Sequence, residues 1–235
     1  MLKGSASAVL SATVLVATSG AVALGGAAPA VAGSVAPVDC RGNPAALRAA
    51  VGSAVPGATL LVSGTCTGPF VVEKDLTLIG LGAAVLDGAQ AGSVVTVSGD
   101  VRVRLHTLTL TNGAGGDGGG IYNNFGATVT LTASTVRDNT AARSGGGVFN
   151  FFNSTVTLTG SSVSGNTAGA YGGGIWNDIG STVGLNASTV RDNTAGIDGG
   201  GVHNDDGTVT LTGSAVRGNR PNNCGGLVPV PGCTG

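Results

Sequence analysis

Apolar and polar residues alternate in short bursts along most of the chain. The segment TVTLT recurs at 128–132, 155–159 and 208–212, which puts Val129, Leu131, Val156, Leu158, Val209 and Leu211 on one side of a strand. The period is two, the signature of half-buried β-structure, not the 3.6 of a helix. A second apolar position follows at Val136, Val163, Val190 and Val216, and a third strand is predicted at Ile121, Val148, Ile175 and Val202. Each of these last residues directly follows a glycine triplet: Gly118-Gly119-Gly120, Gly145-Gly146-Gly147, Gly172-Gly173-Gly174 and Gly199-Gly200-Gly201, with starts 27 residues apart. Three short strands per repeat without an intervening helix describe one turn of a coil. A fixed period of this length predicts a stack in which each unit buries its apolar side against its neighbours. Strands of successive units then pair in parallel, and equivalent side chains form ladders with a spacing of about 4.8 Å.

The ladder register turns the polar positions into structural expectations. Asn139, Asn166, Asn193 and Asn219 form one column and Asn123, Asn150, Asn177 and Asn204 another. Stacked side-chain amides can bond each other and the turn backbone, satisfying groups that a sharp bend leaves unpaired. The glycine triplets are expected to be turns needing unusual backbone angles, since no Lys or helix start follows them as in a phosphate-binding loop.

Upstream the rhythm is looser. Leu60-Leu61-Val62, Phe70-Val71-Val72, Leu76 to Ile79, Val94 to Val97, Val101-Arg102-Val103 and Leu108-Thr109-Leu110 are predicted strands, for six or seven coils in all. Asn43-Pro44 is expected to start a short helix with Leu47, Val51 and Val55 on one face. Such a helix would plug the open end of the stack, where bare strand edges invite aggregation. The domain plan is therefore a segment 1–32, a cap at 33–56, coils over 57–220 with regular repeats at 118–144, 145–171, 172–198 and 199–220, and a tail at 221–235.

Against this background the residues carry a resemblance. The stretch ATLLVSGTCTGPFVVEKDLTLIGLG after an amphipathic helix resembles the start of right-handed parallel β-helix proteins of the pectin-lyase-like superfamily. GGGIYN with VRDNTA or VSGNTA is similar to the repeats of chlamydial polymorphic outer-membrane proteins. The resemblance spans residues 40–220 and implies an all-β, right-handed parallel β-helix. The chain differs from the membrane family in having Val where that motif has Phe, and in lacking room for a C-terminal membrane barrel. The NTD, GHG and RIK motifs of pectin-degrading relatives are absent, and the chain has only two His, which argues against a standard polygalacturonase.

Composition adds compartment and partner. Lys3, an apolar run from Ala8 to Leu24 and Ala30-Val31-Ala32 fit a cleaved export signal over residues 1–32, without the charged flank of a membrane anchor. Its removal leaves 203 residues and takes the formal net charge from −1 to −2, so nucleic acid is not an expected partner. Cys40 and Cys66 lie before the regular repeats, Cys224 and Cys233 after them, a distribution that suits two local disulfides in an oxidising, extracellular compartment.

Two columns carry candidate chemistry. Tyr122, Phe149, Trp176 and His203 sit next to the inward Ile or Val of each glycine-led strand and by alternation point outward, with Phe151 and Phe152 nearby. This aromatic stripe is the expected ligand surface, for a polysaccharide or a cell-surface protein. Two positions further lie Asn124, Phe151, Asp178 and Asp205, with Asp206 adjacent. Asp178 and Asp205 are expected to face each other on adjacent coils, a geometry open to a calcium ion or to the acid and nucleophile of a retaining glycosidase. No other cofactor is expected. The leading expectation is a binding surface; the alternatives are a polysaccharide-degrading lyase or glycosidase, and a passive structural coat. Arg137, Arg191 and Arg217, with Asp138 and Asp192, form a mixed-charge column expected at a solvated edge.

Overall fold

The computed structural model describes residues 33–234, and the predicted export signal lies outside them. The first three regular repeats each give four strands, where three are predicted, and the last repeat gives three. In the first repeat these are Ile121–Asn124, Thr128–Thr132, Thr135–Arg137 and Thr140–Ala141. The fourth is only two residues long, too short to leave an alternating pattern. Every strand pairs in parallel with its equivalent one coil away, as in Val129 with Val156 and Val156 with Val183. The protein is thus a parallel β-helix. One of its sheets has seven strands, one from each of about seven turns.

The upstream coils show how the regular ones are bent. Leu76–Asp87 is one continuous strand whose first half pairs with Arg102–His106 and whose second half pairs with Thr109–Thr111. In later coils a corner divides that strand, and the corner residue has a left-handed backbone: Thr107, Ala133, Gly160, Ala187 and Gly213 all have φ between +46° and +58°. The next corner is equally left-handed, with Asn112, Asp138, Gly165, Asp192 and Gly218. Asn, Asp and Gly tolerate that region best. Asp138 and Asp192 are therefore corner residues first, and each pairs with its exposed neighbour, Arg137 or Arg191, across solvent.

Inside, the apolar ladders are dry. Val129, Leu131, Val136, Val148, Leu158, Val163, Ile175 and Val190 have no exposed surface. Asn139, Asn166, Asn193 and Asn219 form a continuous chain in which each Nδ2 donates to the next Oδ1 at 2.9–3.0 Å, and each also donates to main-chain carbonyls. The second asparagine column does the same, at 2.9 Å per step. Its first member, Asn123, leaves its Oδ1 without a partner, because the coil before it offers Val97 in that register. A third ladder has the same spacing but was not among the expectations: Ser134, Ser161 and Ser188 each donate a main-chain N–H to the next serine Oγ, ending on Ser214.

The glycine triplets split into two roles. Only the first of each is left-handed, with φ of +62° to +69°. The other two are excluded from bearing a side chain by proximity: a Cβ on Gly146 would lie 2.4 Å from Gly173 O and 2.5 Å from Thr167 O.

At the N-terminal end the helix Ala46–Ser53 caps the stack, with Leu47 and Val51 buried. Asn43 Oδ1 accepts the Ala45 N–H at 3.2 Å. Val55 lies beyond the helix, where the chain turns toward Pro56, so the apolar helical face is two residues wide, not three. Cys40 is bonded to Cys66 and Cys224 to Cys233. The second disulfide holds the short strand Cys224–Gly225 against Val202–Asn204.

Candidate functional site

The strands Ile121–Asn124, Val148–Asn150, Ile175–Asn177 and Val202–Asn204 set Tyr122, Phe149, Trp176 and His203 in strict register. Ile121, Val148, Ile175 and Val202 point into the core, so the intervening side chains emerge on the other face. They do not form the exposed stripe expected from alternation. Phe149 and His203 are only 7 % exposed, and Tyr122 and Trp176 are half-buried. The reason is mutual cover. Tyr122 and Phe149 stack at 5.2 Å and 6°, Phe149 and Trp176 at 4.4 Å and 8°, and Phe151 closes on Phe149 from the side at 5.8 Å. Stacked along the coil axis at strand spacing, the inner rings cover each other's faces and show the surroundings mainly edges.

The stack ends at Trp176. His203 occupies the next rung but turns to Tyr171 instead, with centroids 4.7 Å apart and planes inclined by 39°. That turn leaves the far face of Trp176 on a groove of about 410 Å³, with Tyr171, His203, Asp198 and Asp205 around it. Leu227 and Gly226 from the C-terminal cap and Ser144 complete the wall. Tyr171 and Asp198 were missed by the sequence reading, although they carry the same 27-residue signal. Asp117, Ser144, Tyr171 and Asp198 each precede a glycine triplet, and the last three bridge in parallel. Leu227 had no such signal, because it arrives from a non-repeating tail.

Asp198 is firmly held. Its Oδ1 accepts from Asn222 Nδ2 at 2.7 Å and its Oδ2 from the Gly226 N–H at 2.9 Å. Burial pushes its pKa up, but these hydrogen bonds, that of Gly199 and the nearby His203 outweigh it and hold the carboxyl below its ordinary range. His203 Nδ1 lies 3.2 Å from Asp198 Oδ2, without the alignment of a hydrogen bond. Burial lowers the pKa of the imidazole, against the opposing pull of Asp198 and Asp205, so the ring is neutral at neutral pH.

Asp178 and Asp205 occupy the same column of adjacent coils, since Asp178 N–H donates to Asn150 O and Asp205 N–H to Asn177 O. Their surroundings differ. Asp178 is 6 % exposed, and burial, helped by the charges of Asp205 and Asp206, raises its pKa. Asp205 is half-buried and opens on the groove. No group of three or more His, Cys, Asp or Glu able to hold a metal ion occurs among the described residues. A calcium ion at the Asp178–Asp205 column would therefore depend on main-chain oxygens and solvent for most of its six or more ligands.

No family model and no curated protein matches the chain. Two solved structures are similar to it. One is an alginate lyase from Paenibacillus sp. str. FPU-7, with a TM-score of 0.47 and 15 % identity over 74 % of this chain and 76 % of that one. The other is the pectate lyase Pel9A, with a TM-score of 0.39 and 14 % identity over 83 % of this chain and 80 % of that one.

Proposed function

We propose that this is an exported protein whose C-terminal coils bind a glycan or a glycan-bearing cell surface in the groove at Trp176. One observation carries the reading: the aromatic stack is broken after Trp176, so one indole face opens on a groove of about 410 Å³ while the other is covered by Phe149. The apolar face of a pyranose ring packs well on an indole, and nearby carboxylates accept its hydroxyls. Two disulfides in a chain of this size agree with an oxidising, extracellular setting. Trp176→Ala is expected to weaken retention on insoluble glycans about tenfold or more, in proportion to a lost stacking contact of about 1.5 kcal/mol. Phe149→Ala, inside the stack, is expected to act mainly on stability. Retention of Trp176→Ala equal to the parent's, with circular dichroism unchanged, would remove the groove from consideration.

A second reading is favoured by the contrast between Asp178 and Asp205. A buried carboxyl with raised pKa beside a more open one is the arrangement that separates acid from nucleophile in glycoside hydrolysis. Under this reading Asp178→Asn and Asp205→Asn each eliminate release of reducing ends from a polysaccharide panel. Absence of release by the parent protein counts against it and leaves binding intact.

A further inference from the structure

The groove is acidic without compensation. Asp198 and Asp205 line it, Asp178 and Asp206 lie on the same coils, and no Lys or Arg is among its lining residues. Arg143, next to the lining residue Ser144, is engaged by Asp117. Asp205 forms no side-chain hydrogen bond or ion pair among the described residues, whereas Asp198 is fixed in place by Asn222 and Gly226. His203, nine-tenths buried in the groove wall, sets its Nδ1 3.2 Å from Asp198 Oδ2 and so faces that carboxylate, which leaves Asp205 as the carboxylate turned to the open groove. Being neutral, His203 supplies no counter-charge.

Three ligand classes can be weighed by charge. A uronate polymer would bring carboxylates against Asp198 and Asp205 with no cation between them, a repulsive arrangement in a partly desolvated site. A neutral sugar would cover Trp176 and offer hydroxyls to Asp205, but would leave that carboxylate, which has no partner like the Asn222 and Gly226 of Asp198, without a counter-charge as water is displaced. A ligand that carries an ammonium group meets both needs, and it also finds the faces of Trp176 and Tyr171 for cation–π contact.

We propose that the groove recognises an amine-bearing sugar, with the ammonium held between Asp205 and Asp198 and the pyranose ring laid on Trp176. This rests on the glycan-binding reading above and narrows its ligand class.

The test is isothermal titration at mildly acidic pH and low salt with three oligomers of equal length: β-1,4-linked glucosamine, its N-acetylated form and galacturonate. The glucosamine oligomer is expected to bind about tenfold or more tightly than the acetylated one. Asp205→Asn is expected to erase that preference while acetylated binding persists, and added salt is expected to narrow it, as for partly exposed charges. Asp205 is half-buried and holds no other group, so this variant is expected to keep its fold, checked by circular dichroism. Equal binding of the glucosamine and acetylated forms overturns the charge assignment and leaves glycan binding standing. Preference for galacturonate, or a preference unchanged in Asp205→Asn, overturns it too. Calcium binding that is lost in Asp205→Asn reassigns the carboxylates to a metal. No binding of any oligomer defeats the underlying reading as well.

Discussion

At the scale of single residues, space and charge matter more than residue class. Gly146 and Gly116 are both glycines near a turn, yet a Cβ on Gly146 meets two main-chain oxygens of neighbouring segments and one on Gly116 meets nothing within 4 Å. Gly146→Ala is expected to cost about 3 kcal/mol in urea denaturation, the upper range for overpacking against unyielding backbone. Gly116→Ala should fall within about 0.5 kcal/mol. Asp178 gives a pH-dependent case. Folding raises its pKa above the ordinary 3.8, so the folded state favours the protonated carboxyl. The stability linked to that proton is present below pH 3.8 and is lost as pH rises through the folded-state value. Asp178→Asn, which cannot ionise, is therefore expected to melt higher than the parent at neutral pH, with the gap closing in acid. His203 has the opposite sign: its lowered pKa means stability that is full above 6.5 and declines as pH falls, when the unfolded chain takes up the proton more readily.

At the scale of elements, the ladders convert a weak local interaction into a continuous one. Asn166 Oδ1 accepts both the N–H and the Nδ2 of Asn139, and its own Nδ2 serves Val136 O and Asn193. Asn166→Val orphans several buried groups at once, at about 1–3 kcal/mol each, and is expected to remove about 3 kcal/mol or more in chemical denaturation. Asn219→Val, one step from the ladder's end at Asn223 and 7 % exposed, should cost less. Both asparagine columns and the inward valines were legible because their spacing repeats with the coil. The Ser134 to Ser214 ladder and the two-residue strands such as Thr140–Ala141 share that spacing but were not singled out, because serine at a corner looks like any turn residue and two residues are too few to show alternation. The aromatic column was placed correctly by number but not by exposure, because alternation assigns a side chain to a face and says nothing of what lies over it.

At the scale of the whole molecule, a stack with contacts only between neighbours should lose structure from its ends inward. The helix Ala46–Ser53 and the Cys40–Cys66 bond guard one end, and the Cys224–Cys233 bond guards the other. Closing the shorter loop stabilises by about 2.5 kcal/mol on the chain-entropy estimate. Replacing Cys224 and Cys233 by Ser is expected to accelerate amide exchange in Val202–Asn204 and Ile175–Asn177, and to leave Thr128–Thr132 protected; uniform acceleration would show a single cooperative unit instead. The groove lies in the coils that this cap supports and takes Gly226 and Leu227 from it, so the same variant should also weaken ligand retention. By itself the amino-acid order determined the coil, its parallel register and the asparagine columns, because a period of 27 forces equivalent residues over one another, while the four cysteines were compatible with three pairings, of which the structure has Cys40–Cys66 and Cys224–Cys233. Only the tertiary structure decided which outward rings are covered, where the stack breaks, and that Asp198, His203 and Asp205 share a groove with a non-repeating tail. Those outcomes depend on side-chain directions and on contacts between segments whose sequences carry no common spacing.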